Sequence, residues 1–221
     1  MAVILNSVVP WGRSFDEYVR MFALSEKDFQ RKILDCAAGP SSFAVEMKEQ
    51  GHPVISIDPI YEFSAEQIRS RVAAVRDDMI GQVRGQMGQF VWEYIRSPEH
   101  LEEVRMGAME EFLADFESDG DRKRYRVQSL PKLEFADGEF ELGLCSHFLF
   151  LYSEWLDEAF HIESVRELLR VANEVRFFPV TEMDGRVSRH LAKVRAEFQT
   201  QLVKVDYEFL KGANQMLIVR R

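Results

Sequence analysis

The chain has 221 residues, of which 46% are hydrophobic and 29% are charged, and its formal net charge is −9. This length and composition favour one globular domain, and no uncharged apolar run is long enough to suggest a membrane-spanning helix. The acidic balance argues against long nucleic acids as ligands, because their phosphate backbones would be repelled.

The two cysteines, Cys36 and Cys145, both lie in apolar runs. We interpret them as buried, reduced thiols, which predicts a cytoplasmic protein. No histidines stand at the short spacing that a structural zinc site needs, so no metal site is predicted. The apolar start of the chain, MAVIL, lacks the basic and long apolar regions of a signal peptide and is interpreted as an edge strand or a packed N-terminal arm.

The first part of the chain predicts a βαβ unit. An amphipathic helix is expected over residues 14–24, and a buried strand is expected over 32–38. A helix over 43–50 then leads to a second buried strand over 53–59. Two buried strands joined by a helix indicate parallel pairing through a right-handed crossover.

Residues 62–120 show helical patterns and no strand signal, which predicts a helical insertion within a single domain, 1–221. Ser64 and Gln67 form a capping-box pattern near its start. Apolar residues then recur every three or four positions, as expected for one face of a helix. This stripe consists of Ile68, Val72, Val75, Met79, Val83, Met87, Phe90 and Tyr94. The Ser-Pro pair at 97–98 predicts the start of a second helix.

The rest of the chain completes an alternation of helices and strands. Strands are expected over 124–130, 140–148, 174–180, 203–210 and 215–219. Helices are expected over 153–172 and 188–202. The last two strands are joined by a short glycine turn and are predicted to form a hairpin. The expected fold is therefore α/β, with a mostly parallel seven-stranded sheet, a C-terminal antiparallel hairpin strand and a helical insertion after the second strand.

Small residues follow the first predicted strand, in the sequence DCAAGP from Asp35 to Pro40. Such a loop lets a ligand approach the backbone closely. Asp58 ends the second predicted strand, 19 positions after Gly39, which is near the spacing of an acid that binds both hydroxyls of a ribose. Asp58 could instead cap a turn, and the Gly-Pro pair could be an ordinary turn.

Four segments resemble motifs of the class I S-adenosylmethionine-dependent methyltransferases. The DCAAGP loop resembles their motif I, and Ile57-Asp58-Pro59 resembles the acidic motif after their second strand. The segment LEFADGEFEL, residues 133–142, is similar to the entry into their fourth strand, and the terminal hairpin is similar to their reversed seventh strand. The resemblance spans nearly the whole chain in order and implies a Rossmann-like fold with S-adenosylmethionine as cofactor.

The resemblance also implies roles for individual residues. Asp35 would lie near the amino group of the methionine part, Ala37 and Gly39 would lie against that part, and Asp58 would hold the ribose hydroxyls. The implied cofactor-binding residues are Asp35, Ala37, Ala38, Gly39, Pro40, Asp58, Pro59, Ile60, Ser129, Leu130 and Cys145. Those expected beside the adenine are Pro59, Ile60, Ser129 and Leu130.

The implied activity is transfer of a methyl group to an unidentified small-molecule or protein acceptor. The protein mainly has to align donor and acceptor for an in-line displacement. For acceptors that must lose a proton, His147, which follows the fourth strand, is the candidate catalytic base. It could equally be a partly buried histidine without a chemical role.

The insertion begins directly after Asp58, so we expect it to cover the site. Tyr61, Phe63 and Gln67 would then lie at its mouth. The hinge points would be Gly81, Gly85 and Gly88, where the helical stripe could also break or kink.

Two departures from the family pattern keep an alternative open. The loop retains only one glycine, Gly39, and Ser129 stands where the family often has an acid. A non-catalytic, methyltransferase-like module that binds the cofactor or a partner is therefore the second hypothesis. A nicotinamide-dependent oxidoreductase is disfavoured, because G-x-G-x-x-G is absent and the chain ends in a predicted hairpin.

Overall fold

The computed structural model describes residues 11–221, so the interpretation of the MAVIL segment lies outside the described residues. The helices are α1 (Phe15–Met21), α2 (Glu26–Phe29), α3 (Phe43–Glu49), α4 (Ala65–Gly85), α5 (Pro98–Ser118), α6 (Glu158–Val171) and α7 (Leu191–Glu197), with 3₁₀ turns at Pro59–Glu62 and Met87–Gln89. The strands are β1 (Ile33–Cys36), β2 (Ile55–Ile57), β3 (Tyr125–Arg126), β4 (Phe140–Ser146), β5 (Ala172–Phe178), β6 (Gln199–Lys204) and β7 (Gln215–Arg220).

The seven strands form one sheet in the order β3-β2-β1-β4-β5-β7-β6. The first five pair in parallel, and β7 runs antiparallel to both β5 and β6. The predicted mostly parallel sheet with an antiparallel C-terminal hairpin strand is confirmed. The strand order reverses between β1 and β4, and the carboxyl ends of strands at such a switch point are the usual ligand site of an open α/β sheet.

Both faces of the sheet are covered. One core contains Tyr18, Phe43 and Phe112 from helices α1, α3 and α5, and the other contains Val165 and Leu168 from α6. Because the central strands have helices on both sides, β1 is buried along its whole length. No helix in the described range 11–221 combines the length and apolar character that crossing a membrane requires.

The connection between β2 and β3 holds the two long helices α4 and α5, which pack against each other. Ser64 and Gln67 form the predicted capping box at the start of α4, and Ser97 caps α5. The apolar stripe does not run to residue 94 as one helix, because α4 ends at Gly85, one of the three glycines at which a break could occur, and Met87 is 46% exposed. Beyond it, the chain is irregular, and glycines at 85 and 88 disfavour a continued helix.

Several predicted boundaries in the C-terminal half are also wrong. The helix expected over 188–202 is confined to α7, and Leu202 lies in β6, where it pairs with Leu217 of β7. The strands of the hairpin are thus β6 and β7, and residues 205–214 connect them. Over the first four residues of β6, Gln199 to Leu202, the side chains alternate between exposed and half-buried, as expected for a strand that is covered on one side. The strand expected over 124–130 is shortened to β3.

Candidate functional site

The loop after β1 adopts a conformation that ordinarily favours glycine. Ala37 has φ 54° and Gly39 has φ 57°, both in the left-handed region. The N–H of Ala38 donates to the carbonyl of Ile57 at 3.2 Å, which joins the ends of β1 and β2. A Cβ built on Gly39 would meet no atom within 4 Å, so the space beside the glycine is open.

Asp58 ties the loop to the end of β2. Its Oδ2 accepts a hydrogen bond from the N–H of Gly39 at 3.0 Å, and its Oδ1 accepts one from the N–H of Ile60 at 2.8 Å. The second contact caps the 3₁₀ turn Pro59–Glu62, so the alternative role of Asp58 as a turn cap is present. Burial raises the pKa of this carboxyl, against the effect of the two backbone donors. Each oxygen keeps a lone pair for a further donor.

Asp35 lies beside Asp58, fully buried in β1. Tyr18 donates its hydroxyl hydrogen to Oδ1 of Asp35 at 3.1 Å, and Oδ2 of Asp35 has no hydrogen-bond partner among residues 11–221. Burial, with a smaller contribution from the nearby Asp58, raises the pKa of Asp35 well above its usual value. A buried carboxylate oxygen without a donor costs free energy unless a cation or a donor reaches it.

Tyr61 lies beneath the loop and not at an open mouth, which corrects the expectation for this residue. It is 2% exposed, and its hydroxyl donates to the carbonyl of Gly39 at 2.8 Å. Its ring stacks on Phe112 of α5 and meets Tyr125 edge-on. The first turn of the insertion therefore supports the loop from the core side.

Residues 11–14 cover the other side of the loop. The carbonyl of Arg13 accepts hydrogen bonds from the hydroxyl of Ser41 at 3.0 Å and from the N–H of Ser42 at 3.1 Å. Gly12 approaches so closely that a Cβ there would lie 1.9 Å from the carbonyl oxygen of Pro40. The loop is thus fixed between the N-terminal segment and Tyr61.

An open cleft lies next to the loop, beyond the carboxyl ends of β4 and β5. Its empty space is about 690 Å³, including solvent at its mouth. It is lined by Arg13, Phe90, His147, Leu151, Phe178, Pro179, Met183, Tyr207, Phe209, Leu210 and Ala213. Of the predicted site residues, His147 alone is among them.

His147 is held at the end of β4 in a left-handed conformation, with φ 50°. Its N–H donates to the carbonyl of Phe178 at 2.6 Å, and its Nδ1 is 2.9 Å from the hydroxyl of Ser146. Burial, and then the charges of Arg13 and Arg105, hold its pKa well below 6.5. His147 is therefore neutral at neutral pH, the state in which an imidazole can accept a proton.

A buried ionic cluster lies behind this part of the cleft. Glu17 accepts hydrogen bonds from Arg105 and, at 2.6 Å, from the hydroxyl of Tyr207. It also accepts one from the N–H of Ser14 at 2.9 Å. The side chains of Glu17, Arg105 and Tyr207 are all buried. Their contacts with one another offset the free-energy cost of burying the charges of Glu17 and Arg105.

The remaining predicted residues are spread along the strand ends. Cys145 is a free, buried thiol that pairs in register with Cys36, as expected for packing cysteines. Leu130 is buried in the core on the α6 side of the sheet, whereas Ser129 is exposed. Pro59 is exposed at the turn after β2. The structure thus brings Asp35, the Gly39 loop and Asp58 together, and places His147 in the neighbouring cleft.

Sequence reasoning missed Arg13, Phe178 and Tyr207 as cleft residues. Phe178 ends β5, so the rule that ligands bind at the carboxyl ends of strands could have identified it. Arg13 and Tyr207 belong to irregular segments, and no motif marks either of them.

No family model matches the chain. The uncharacterized protein MJ0045 of Methanocaldococcus jannaschii is 38% identical over 218 residues, which is 98% of each chain. The chain belongs to the same family as this protein. The strand order of this chain and its antiparallel β7 match the Rossmann-like fold of the class I S-adenosylmethionine-dependent methyltransferases.

Two similar solved structures are named as methyltransferases. Magnesium protoporphyrin IX methyltransferase (ChlM) from Synechocystis PCC 6803 with bound SAH is 14% identical, with a TM-score of 0.49 over 94% of this chain and 81% of that chain. A SAM-dependent methyltransferase from Methanosarcina mazei is 12% identical, with a TM-score of 0.46 over 90% of this chain and 94% of that chain.

Proposed function

We propose that the protein is an S-adenosylmethionine-dependent methyltransferase that acts on a small-molecule or protein acceptor. The observation that carries the proposal is the meeting of Asp35, Gly39 and Asp58 at the adjacent ends of β1 and β2. In this fold a cofactor with an amino acid at one end and a ribose in the middle would extend across that edge.

The polar groups present fit such a cofactor. The unpartnered Oδ2 of Asp35 would accept from the ammonium group of the methionine part, directly or through water. The open space beside Gly39 would admit the same part against the backbone. The unused lone pairs of Asp58 would accept from the ribose hydroxyls. The walls of the cofactor site would be completed by Ala37, Ala38, Pro40, Pro59, Ile60, Ser129, Leu130 and Cys145.

S-adenosylmethionine supplies a methyl group that is already activated by a sulfonium charge. The chain has to orient the acceptor in line with that methyl and keep water away. His147 is neutral, and in the tautomer in which Nδ1 donates to Ser146, its Nε2 lone pair is free to take a proton from an acceptor. We propose His147 as this base.

The proposal also covers the domain organisation of the chain and its cellular location. Residues 1–221 would be a single domain, with 62–120 as its helical insertion. The two buried, free cysteines support a reducing, cytoplasmic environment.

A non-catalytic binding module is the second candidate. It is favoured by Asp58, whose two oxygens already accept backbone donors, and by Ala37, a side chain at a left-handed position in the loop. Such a module would bind the cofactor without converting it.

Thermal unfolding with added ligands tests the proposal. S-adenosylmethionine or S-adenosylhomocysteine at 100 times its dissociation constant should stabilise the fold by about 2.7 kcal/mol, a rise of about 5–10 °C in melting temperature for a chain of this size. NAD is the matched control and should leave the melting temperature unchanged. A shift with both S-adenosyl compounds but no S-adenosylhomocysteine formed with any acceptor would support the binding module instead.

A further inference from the structure

The cleft beyond β4 and β5 has aromatic walls. Phe90 and Phe209 stack with ring centroids 4.7 Å apart, and Phe178 meets Tyr207 edge-on at 5.7 Å. Flat aromatic groups bind well to such surfaces, because offset and edge-to-face contacts add to the hydrophobic effect.

Among the described residues that line this cleft, Arg13 is the one with a cationic side chain. Within the described range, it has no carboxylate within salt-bridge distance, and its NH1 donates only to the carbonyl of Trp11. Its Nε is buried without a hydrogen-bond partner. A guanidinium with unused, buried donors beside a cleft is a site for an anion.

The acid closest to this arginine is already engaged. Glu17 is bound by Arg105, Tyr207 and Ser14, so the cluster of Arg13, Arg105 and Glu17 keeps one positive charge. No acidic residue of the described part of the chain lines the cleft, and the other titratable residues in its lining, His147 and Tyr207, are neutral at neutral pH. The local charge would therefore be balanced by an anionic ligand.

We propose that Arg13 binds the carboxylate of an aromatic methyl acceptor whose ring lies in this cleft. The proposal rests on the proposed function, because it places the acceptor beside His147. A carboxylate suits the planar guanidinium, which can bind it through two parallel hydrogen bonds.

The cleft position favours the acceptor over the cofactor as the source of this carboxylate. The side chain of Arg13 lines the cleft with Phe178 and Tyr207, on the β5 and β7 side of the sheet. Asp35, Gly39 and Asp58, the polar groups proposed to hold the cofactor, lie at the ends of β1 and β2, and none of them lines the cleft.

Calorimetric titration with hydroxybenzoates, in the presence and absence of S-adenosylhomocysteine, tests the proposal. The three hydroxybenzoate isomers are the probes, and the corresponding hydroxybenzamides are neutral controls of the same shape. The native chain should bind at least one acid about tenfold or more tightly than its amide, because a hydrogen-bonded charge pair is lost in the amide. Arg13→Gln should abolish this preference, and Arg13→Lys should retain part of it.

Arg20→Gln is the matched control, since Arg20 is exposed, its guanidinium pairs with Asp206 at 2.9 Å, and it is not among the residues that line the cleft. It should bind the acids as the native chain does, and circular dichroism should show that all variants are folded. Equal binding of acids and amides, an unchanged preference in Arg13→Gln, or no saturable binding of any acid at about 10 mM would overturn the proposal.

The affinity for S-adenosylhomocysteine separates this proposal from the proposed function. Arg13→Gln should leave that affinity unchanged, and a large loss would assign Arg13 to the cofactor and overturn the acceptor site. If S-adenosylhomocysteine does not bind, while the acids still bind through Arg13, the proposed function fails and the anion site stands.

Discussion

The carboxylate of Asp58 accepts a hydrogen bond from the backbone N–H of Gly39 at 3.0 Å, across the ends of two adjacent parallel strands. The contact fixes the loop after β1 relative to the turn after β2. Asp58 therefore has a structural role in the free protein, in addition to any role in binding a ligand.

Replacement of Asp58 by alanine separates these two roles. The variant should lose about 1–3 kcal/mol in the free energy of unfolding, because the N–H groups of Gly39 and Ile60 lose their acceptor. It should remain folded and bind S-adenosylhomocysteine about tenfold to a hundredfold more weakly, through the loss of charge-assisted hydrogen bonds. Urea unfolding and calorimetry measure the two effects. Asp78→Ala, on the exposed face of α4, is the control, and an affinity within twofold of the native value in Asp58→Ala would exclude Asp58 as the ribose ligand.

Asp35 should destabilise the free protein at neutral pH. Burial raises the pKa of Asp35 above 3.8, the usual value for an aspartate. Its contribution to the free energy of unfolding is therefore fully present below pH 3.8 and is lost as the pH rises through the pKa of Asp35 in the folded protein. Asp35→Asn keeps an acceptor for the hydroxyl of Tyr18 and removes the buried charge. The variant should therefore be more stable than the native chain at pH 7, and the difference should shrink as the pH falls towards 4. Denaturant unfolding across this range is the measurement; a variant less stable at pH 7 would contradict the assignment of burial as the cause.

The same variant should bind S-adenosylmethionine more weakly, since the amide offers no negative charge to an ammonium group. A gain in the free energy of unfolding together with a loss of affinity for S-adenosylmethionine would show that Asp35 contributes to binding and lowers the stability of the free protein.

Two glycine substitutions form a matched pair. Gly12→Ala would place a Cβ 1.9 Å from the carbonyl oxygen of Pro40, a collision with backbone, and should cost about 1–3 kcal/mol or more. Gly81→Ala lies inside α4, where a Cβ meets nothing within 4 Å, and should stabilise the protein by about 0.5–1 kcal/mol. Chemical denaturation of both variants checks the pair. A harmless Gly12→Ala would show that residues 11–14 do not hold the Gly39 loop.

The pKa of His147 should respond to Arg13. Burial is the main reason for its low pKa, and the charge of Arg13 is the next. Arg13→Gln should therefore raise this pKa, as followed by NMR of the imidazole. Because the folded pKa lies below the unfolded value of 6.5, His147 should cost stability as the pH falls below 6.5, and less so in the variant. An unchanged pKa in Arg13→Gln would mean that the guanidinium does not face the imidazole.

The sheet and one half of the candidate site were predictable because their signals are local in sequence. The apolar strands around Leu34 and Leu144, the small-residue loop and the spacing from Gly39 to Asp58 are each contained in a short segment. The parallel arrangement then brings the two strand ends together without further information.

The cleft could not be predicted in the same way, since tertiary packing assembles it from distant segments. His147 lies 147 − 13 = 134 positions after Arg13, and Tyr207 lies 207 − 147 = 60 positions after His147. The stacking of Phe90 on Phe209 joins the segment between β2 and β3 to the loop between β6 and β7. The start of β6 was misplaced for a related reason. Helical spacing of apolar residues continues past Phe198 to Leu202, although the backbone is extended there and pairs with β7.

Calorimetric titration of the native chain with S-adenosylhomocysteine is the decisive test of the proposed cofactor site. We predict one saturable site per chain, which is weakened in Asp58→Ala and retained in Asp78→Ala, and we predict no binding of NAD. A folded native chain that releases or absorbs no heat with S-adenosylhomocysteine, and whose melting temperature the ligand leaves unchanged, would contradict the proposed cofactor site.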